Sequence, residues 1–144
     1  MLLNITDEIV SVGKDLNLSQ DDFRQCEPEL ARRVVGAAKE TFVTGNPRSW
    51  WLSLKHSFES FDYPDAQGFS RITHHLPKDV KKCWFIPETE EHGLPVFDVA
   101  AHRIVEILSQ CSLFEYYLVG KGYDWILIEN DHNQIIFSRV PGPD

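Results

Sequence analysis

Basic residues are scarce in this chain: 14 lysines and arginines stand against 22 aspartates and glutamates, for a formal net charge of −8. A surface of that sign repels phosphate backbones, which disfavours general binding to nucleic acid or to an anionic membrane. It favours a basic partner through electrostatic steering, although acidity also serves plain solubility. Cysteine is sparse too. Cys26, Cys83 and Cys111 are odd in number and widely spaced, with no CxxC, so neither a zinc ribbon nor a thioredoxin-like site is indicated. They read as reduced, buried, small side chains of an intracellular protein. No apolar run approaches the roughly 20 residues that span a bilayer. The start, MLLNITDEIV, has no basic segment, and Asp7 and Glu8 interrupt its apolar run, unlike a signal peptide. A cytoplasmic location and no membrane partner are expected.

Catalytic signatures are also missing. No HxH, HExxH or HxxxH pair is present, and no GxSxG nucleophile turn. Gly120-Lys121-Gly122 lacks the spacing and the GK[ST] ending of a P-loop. It reads as a hairpin turn with glycines for positive φ and a lysine that is simply exposed. No catalytic residue, metal or cofactor is expected.

What is present is ample material for a core: 42% hydrophobic and 12% aromatic residues in 144. That length makes one domain, burying roughly two thirds of its unfolded surface. Glu115 to Arg139 reads EYYLVGKGYDWILIENDHNQIIFSR. Its three apolar runs, separated by GKG and NDHN, predict a three-strand antiparallel meander. Both alternating faces of Trp125-Ile126-Leu127-Ile128 are apolar, so that strand is central and covered on both sides. Upstream, Lys82–Ile86 predicts a strand ended by Pro87, followed by an acidic loop with Glu88, Glu90 and Glu91. Asp98 is placed as the cap of the clearest helix, with Ala101, Ile104, Val105, Leu108 and Cys111 as its stripe.

The first 45 residues read as helical. Thr6, Asp7 and Glu8 mark one start, with Ile9, Val12 and Leu16 on one face. Ser19 to Asp22 offers a second N-cap, and Pro28 opens a helix with Leu30, Val34, Ala37 and Thr41 along one face. A further helix is expected from Asn46-Pro47, carrying Trp50, Leu54 and Phe58 together. Ser57 to Gly68 is irregular. Phe69, Ile72 and Leu76 repeat at helical spacing until Pro77. The sum is an α+β domain over 1–144: helices in 1–45, a strand-helix-three-strand unit with a mainly antiparallel sheet in 46–139, and a tail, 140–144.

Two constellations stand out. Around the NDHN turn, Glu129, Asp131 and His132 could do acid–base work or hold an ion, yet Asn and Asp are also what a tight turn needs. Adjacent histidines His74 and His75 diverge by about 100° on a helix and cannot easily share a metal. Trp50 and Trp51 cannot both enter one core from a helix, which leaves one as a surface anchor. Near them Tyr63, Phe58, Phe61 and Phe69 interleave with Glu59, Asp62 and Asp65, either a second small core or a rim for a basic partner.

The WW pair at Trp50-Trp51, the CWFI strand, Pro95-Val96, FEYYLV and YDWILIENDHNQII together resemble a family of small uncharacterised bacterial proteins, a domain of unknown function. The resemblance spans Trp50 to Phe137 and leaves out the first 45 residues. It implies fold and membership, and marks Glu129, Asn130 and His132 as parts of a recurring hairpin. In size, acidity and order of elements the chain is also similar to SUKH immunity domains, an analogy of architecture alone. The leading expectation is a non-enzymatic protein-binding module, immunity-like, against a basic protein, with Trp50, Trp51, Tyr63, Glu129, Asp131 and His132 as binding residues. The alternative is a small-ligand-binding or hydrolytic enzyme at Glu129, Asp131 and His132.

Overall fold

A computed structural model of the chain describes residues 4–89, 93–112 and 114–142. Seven strands form one sheet: β1 (Phe23–Gln25), β2 (Phe58–Asp62), β3 (Lys82–Pro87), β4 (Phe97–Ala100), β5 (Tyr116–Gly120), β6 (Trp125–Glu129) and β7 (Gln134–Arg139). Their order is β1-β4-β3-β5-β6-β7-β2, with every neighbour antiparallel. Four helices accompany them: α1 (Ile5–Asp15), α2 (Pro28–Phe42), α3 (Ile72–His75) and α4 (Ile104–Ser109). The fold is α+β.

The C-terminal meander forms as its turn residues dictate, and its flanks are completed from earlier in the chain. β3 joins β5, β4 and β1 continue beyond it, and β2 closes the far edge against β7. All five residues of β6 are buried. Trp125 and Leu127 join a core with Ile9 and Val12 of α1, Ile72 of α3 and Ile104, Ile107 and Leu108 of α4. Ile126 and Ile128 join a second core with Ala31, Val34, Ala38 and Phe42 of α2, and with Trp50. Period-two alternation thus feeds two hydrophobic layers, which explains why both faces of this strand are apolar. The three cysteines are free, and burial pushes the thiols of Cys83 and Cys111 up to about 12.

Several local expectations are corrected. The Ser19–Asp22 stretch caps no helix: Ser19 Oγ accepts from Asp22 N at 3.2 Å in a turn that delivers β1 to the sheet edge. Asn4, not Thr6, caps α1, accepting from Asp7 N at 2.7 Å. α2 does begin at Pro28, but its buried stripe is Ala31, Val34, Ala38 and Phe42, turned from the expected line so that small residues approach the sheet. No helix starts at Asn46-Pro47. The segment makes one 3₁₀ turn, Trp50–Ser53, and then Phe58 enters β2. β2 is hard to read because an edge strand exposed on both faces shows no burial alternation.

Asp98 is not a helix cap. It lies inside β4, between Phe97 and Val99, and the helix is delayed to a 3₁₀ turn at Ala101–Arg103 and then α4. The GKG turn is corrected too. Its positive φ belongs to Tyr123, at 58°. Gly120 is needed for close approach instead: a Cβ there would meet Trp125 Nε1 at 2.5 Å and Asp124 Oδ1 at 2.8 Å. Lys121 is not idle, since its ammonium contacts Asp98 Oδ1 at 2.9 Å. Of the acidic loop, Glu90 and Glu91 lie outside the described residues, as do His92, Leu113 and the last two residues of the tail.

Candidate functional site

β3 and β5 are built from alternating residues of a particular kind. On the face covered by α2, β3 carries Lys82, Trp84 and Ile86, and Glu88 follows just beyond its end. β5 is preceded by Glu115, carries Tyr117 and Val119, and is followed by Lys121. The register pairs Trp84 with Val119 and Ile86 with Tyr117, and Glu88 N donates to Glu115 O at 2.9 Å. Because the two strands run antiparallel, the lysines meet at one end of this face and the glutamates at the other. The apolar middle is closed by α2 and Trp50.

At the acidic end, Trp50 is buried, 4% exposed, and stacks on Tyr117 with centroids 4.3 Å apart and planes 1° apart. The Tyr117 hydroxyl donates to Glu88 Oε2 and accepts from Trp50 N at 3.3 Å. Glu115 gathers three donors: Trp51 Nε1 at 3.1 Å, Asp131 N at 3.1 Å and Ser49 Oγ at 3.4 Å. His132 stands edge-on to Trp51 at 5.5 Å and 3.5 Å from Asp131 Oδ1. Burial raises the Glu88 carboxyl above its ordinary range and the Glu115 charge adds to this, while the Tyr117 hydroxyl and Lys39 act against it. Among the described residues, neither glutamate is in an ion pair. The two carboxylates are held by neutral donors.

The six residues singled out from sequence therefore separate into two groups. Trp50, Trp51, Asp131 and His132 come together around Glu115 and Tyr117. The pair of tryptophans divides as required: Trp50 enters the core and Trp51 is half-buried at the surface. Asp131 and His132 are exposed, and the turn that carries them has ordinary turn chemistry. Asn130 Oδ1 accepts from His132 N at 3.0 Å and Gln134 N at 3.2 Å, and Asn133 takes φ 59°.

Glu129 and Tyr63 form the second group, toward the α3 side. Glu129 is buried and accepts from the Tyr116 hydroxyl at 2.6 Å. Its burial raises the carboxyl, partly offset by that bond and by one from the backbone of Phe69. Gly68 makes the room: a Cβ there would lie 3.0 Å from Tyr63 and 3.1 Å from Glu129 Oε2. The Tyr63 hydroxyl meets His75 Nε2 at 2.6 Å. Among the described residues, no group of three or more His, Cys, Asp or Glu side chains is placed to hold a metal ion.

Sequence reasoning did not single out Glu88, Glu115 and Tyr117, which the structure gathers at this candidate site. A signal existed: K82-x-W84-x-I86-x-E88 and E115-x-Y117-x-V119-x-K121 are mirror-ordered strands. It becomes legible only once β3 is known to lie beside β5.

The arrangement defines a class: an α+β domain whose antiparallel sheet has helices on both faces and opposite charge at the two ends of one face. The chain belongs to a family of unknown function, DUF6756, whose family model matches residues 1–142. The match includes the first 45 residues, which the motif resemblance leaves out. No curated protein matches the chain. Among the described residues, no helix is long and apolar enough to cross a membrane.

Proposed function

We propose that this chain is a non-enzymatic protein-binding module that takes a basic partner at its acidic end. The observation that carries this reading is the Glu88–Glu115 pair. Like charges opposed across neighbouring strands cost a sheet stability, and here the hydrogen bonds they accept come from neutral donors, with Lys39 adding a longer-range attraction on Glu88. A lysine or arginine of a partner would relieve that repulsion and form charge-assisted bonds. Trp51, whose indole donates to Glu115, and its exposed chain neighbour Leu52, 49% accessible, would supply apolar contact to such a partner. The net charge of −8 would speed the encounter. In the immunity-like form of the proposal, that partner is a toxin, and the genes of the two proteins are neighbours. Less supports the hydrolytic alternative, because Glu129 turns toward α3 while His132 packs toward Trp51.

The test is a pull-down from native cells with wild type and with a Glu88→Gln, Glu115→Gln double variant of unchanged circular dichroism. A basic protein retained by wild type, released by salt and lost with the variant is the expected result. Recovery of no partner, or of acidic ones only, would overturn the proposal.

A further inference from the structure

The opposite end of the same face is built differently. Asp98 is nearly buried, its side chain 7% exposed, and three cations converge on it from three directions. Lys121 Nζ lies at 2.9 Å and Lys82 Nζ at 3.4 Å from Oδ1, and Arg24 Nη2 at 3.5 Å from Oδ2. The Arg24 contact is a long hydrogen bond to Oδ2, and the two lysines hold Oδ1 as charge-assisted contacts. Arg24, Asp98 and Trp84 occupy one register row across β1, β4 and β3. The Lys121 ammonium also sits over the Trp84 ring, 3.6 Å from its centroid, so it is pinned between an indole face and a carboxylate. Trp84 Nε1 is shielded from solvent without a well-formed hydrogen bond, and the Tyr123 hydroxyl lies alongside it. Arg33 of α2 adds positive potential near Tyr123.

One cation would neutralise Asp98. Three leave a local surplus of two positive charges, in a chain whose overall charge is −8. The three remain reachable: Arg24, Lys82 and Lys121 side chains are 55%, 38% and 36% exposed. Lys82 and Lys121 occupy facing ends of neighbouring strands, where like charge is costly. Asp98 draws all three, the lysines to Oδ1 and Arg24 to Oδ2, yet its single charge balances only one of them. A compact dianion seated over the three cations would balance the surplus.

We propose that this corner is a binding site for a phosphate-class dianion, either free phosphate or the phosphoryl group of a small phosphomonoester. The site is separate from the acidic end and does not depend on the protein-binding reading. One feature of the ligand's chemistry shapes the test: a phosphomonoester gains its second negative charge with a pKa of about 6. Affinity should therefore fall on going from pH 8 to pH 5, while affinity for sulfate, a dianion throughout, stays level.

The experiment is a calorimetric titration of the full chain with inorganic phosphate and, separately, with phenyl phosphate, against sodium chloride at equal ionic strength. Intrinsic tryptophan fluorescence, to which Trp84 contributes, gives a second readout. Saturable binding is expected, weakened at least about tenfold by an Arg24→Gln, Lys121→Gln double variant and unchanged by Glu115→Gln. Should that double variant fail to fold, Lys82→Gln and the pH comparison with sulfate carry the test. Tighter binding of phenyl phosphate than of phosphate would identify the ester as the ligand class, and the reverse would identify the free ion. Heat and fluorescence changes matched by chloride would overturn the proposal. So would phosphate binding that the cation variants leave intact.

Discussion

The two ends of the α2-covered face solve one problem in opposite ways. Each brings like charges together where β3 and β5 meet, lysines at one end and glutamates at the other. At the basic end an ion does the reconciling: Asp98 contacts Lys82, Lys121 and Arg24. At the acidic end neutral groups do it, through the Tyr117 hydroxyl, the Trp51 indole, Ser49 and the backbone of Asp131. The difference has a physical consequence. Charge contacts to half-exposed cations weaken with salt and with acid. Hydrogen bonds from neutral donors beneath a buried aromatic stack depend on packing instead, and leave the negative charge unmatched.

The comparison is broken most forcefully through the packing of the acidic end. Trp50→Ala removes the ring stacked on Tyr117 and should cost about 3–5 kcal/mol, as for other buried aromatic truncations. Urea denaturation reads it, and a loss below about 1 kcal/mol would show that the stack does not support the carboxylates. Asp98→Ala comes next. It strands three cations, and with those cations half in water the cost should be about 1–3 kcal/mol, below that of a fully buried pair. Its pH dependence has a definite sign. Burial would raise the Asp98 carboxyl, but Lys121 and Lys82 outweigh burial and hold it below the usual range. The stability it contributes is therefore present above the unfolded carboxyl pKa and is lost as pH falls through the folded value. Denaturation midpoints of wild type and Asp98→Asn should converge on acidification, and a constant gap would contradict the ion-pair account.

Much of this fold was written plainly in the chain. The meander was legible because GKG, NDHN and three β-rich runs agree, and the two-sided burial of β6 followed from its uninterrupted apolar run. The short edge strands were not. β1 spans three residues and β2 has both faces exposed, so neither displays a period. Asp98 misled because an acid before Val99 looks like a cap, and only the cations brought from elsewhere in the chain, Arg24, Lys82 and Lys121, make a buried strand aspartate tolerable. Half of the candidate site's residues could be picked out for a similar reason. Trp50, Trp51, Asp131 and His132 drew attention through their residue types. Glu88 and Glu115 each look like ordinary loop acids until the β3–β5 register sets them together.

Smaller effects sharpen the contrast. Tyr117→Phe removes the donor to Glu88 and the acceptor of Trp50 N, and should cost about 1–2 kcal/mol. Glu88→Gln keeps an acceptor for that hydroxyl while deleting the charge. The Glu88 carboxyl is raised on folding, first by burial and then by Glu115. Its favourable contribution is thus fully present below the unfolded pKa and lost as pH rises through the folded value. The variant should gain stability relative to wild type between pH 4 and pH 7, the opposite trend to Asp98→Asn. Parallel pH profiles for the two variants would remove the distinction between the ends. Leu52→Ala should be the quietest change, within about 0.5 kcal/mol of wild type because the side chain is half in water. Its value lies in that quietness. If Leu52 serves recognition beside Glu115 and Trp51, partner retention falls while the unfolding curve stays put; equal retention would restrict recognition to the carboxylates and the indole.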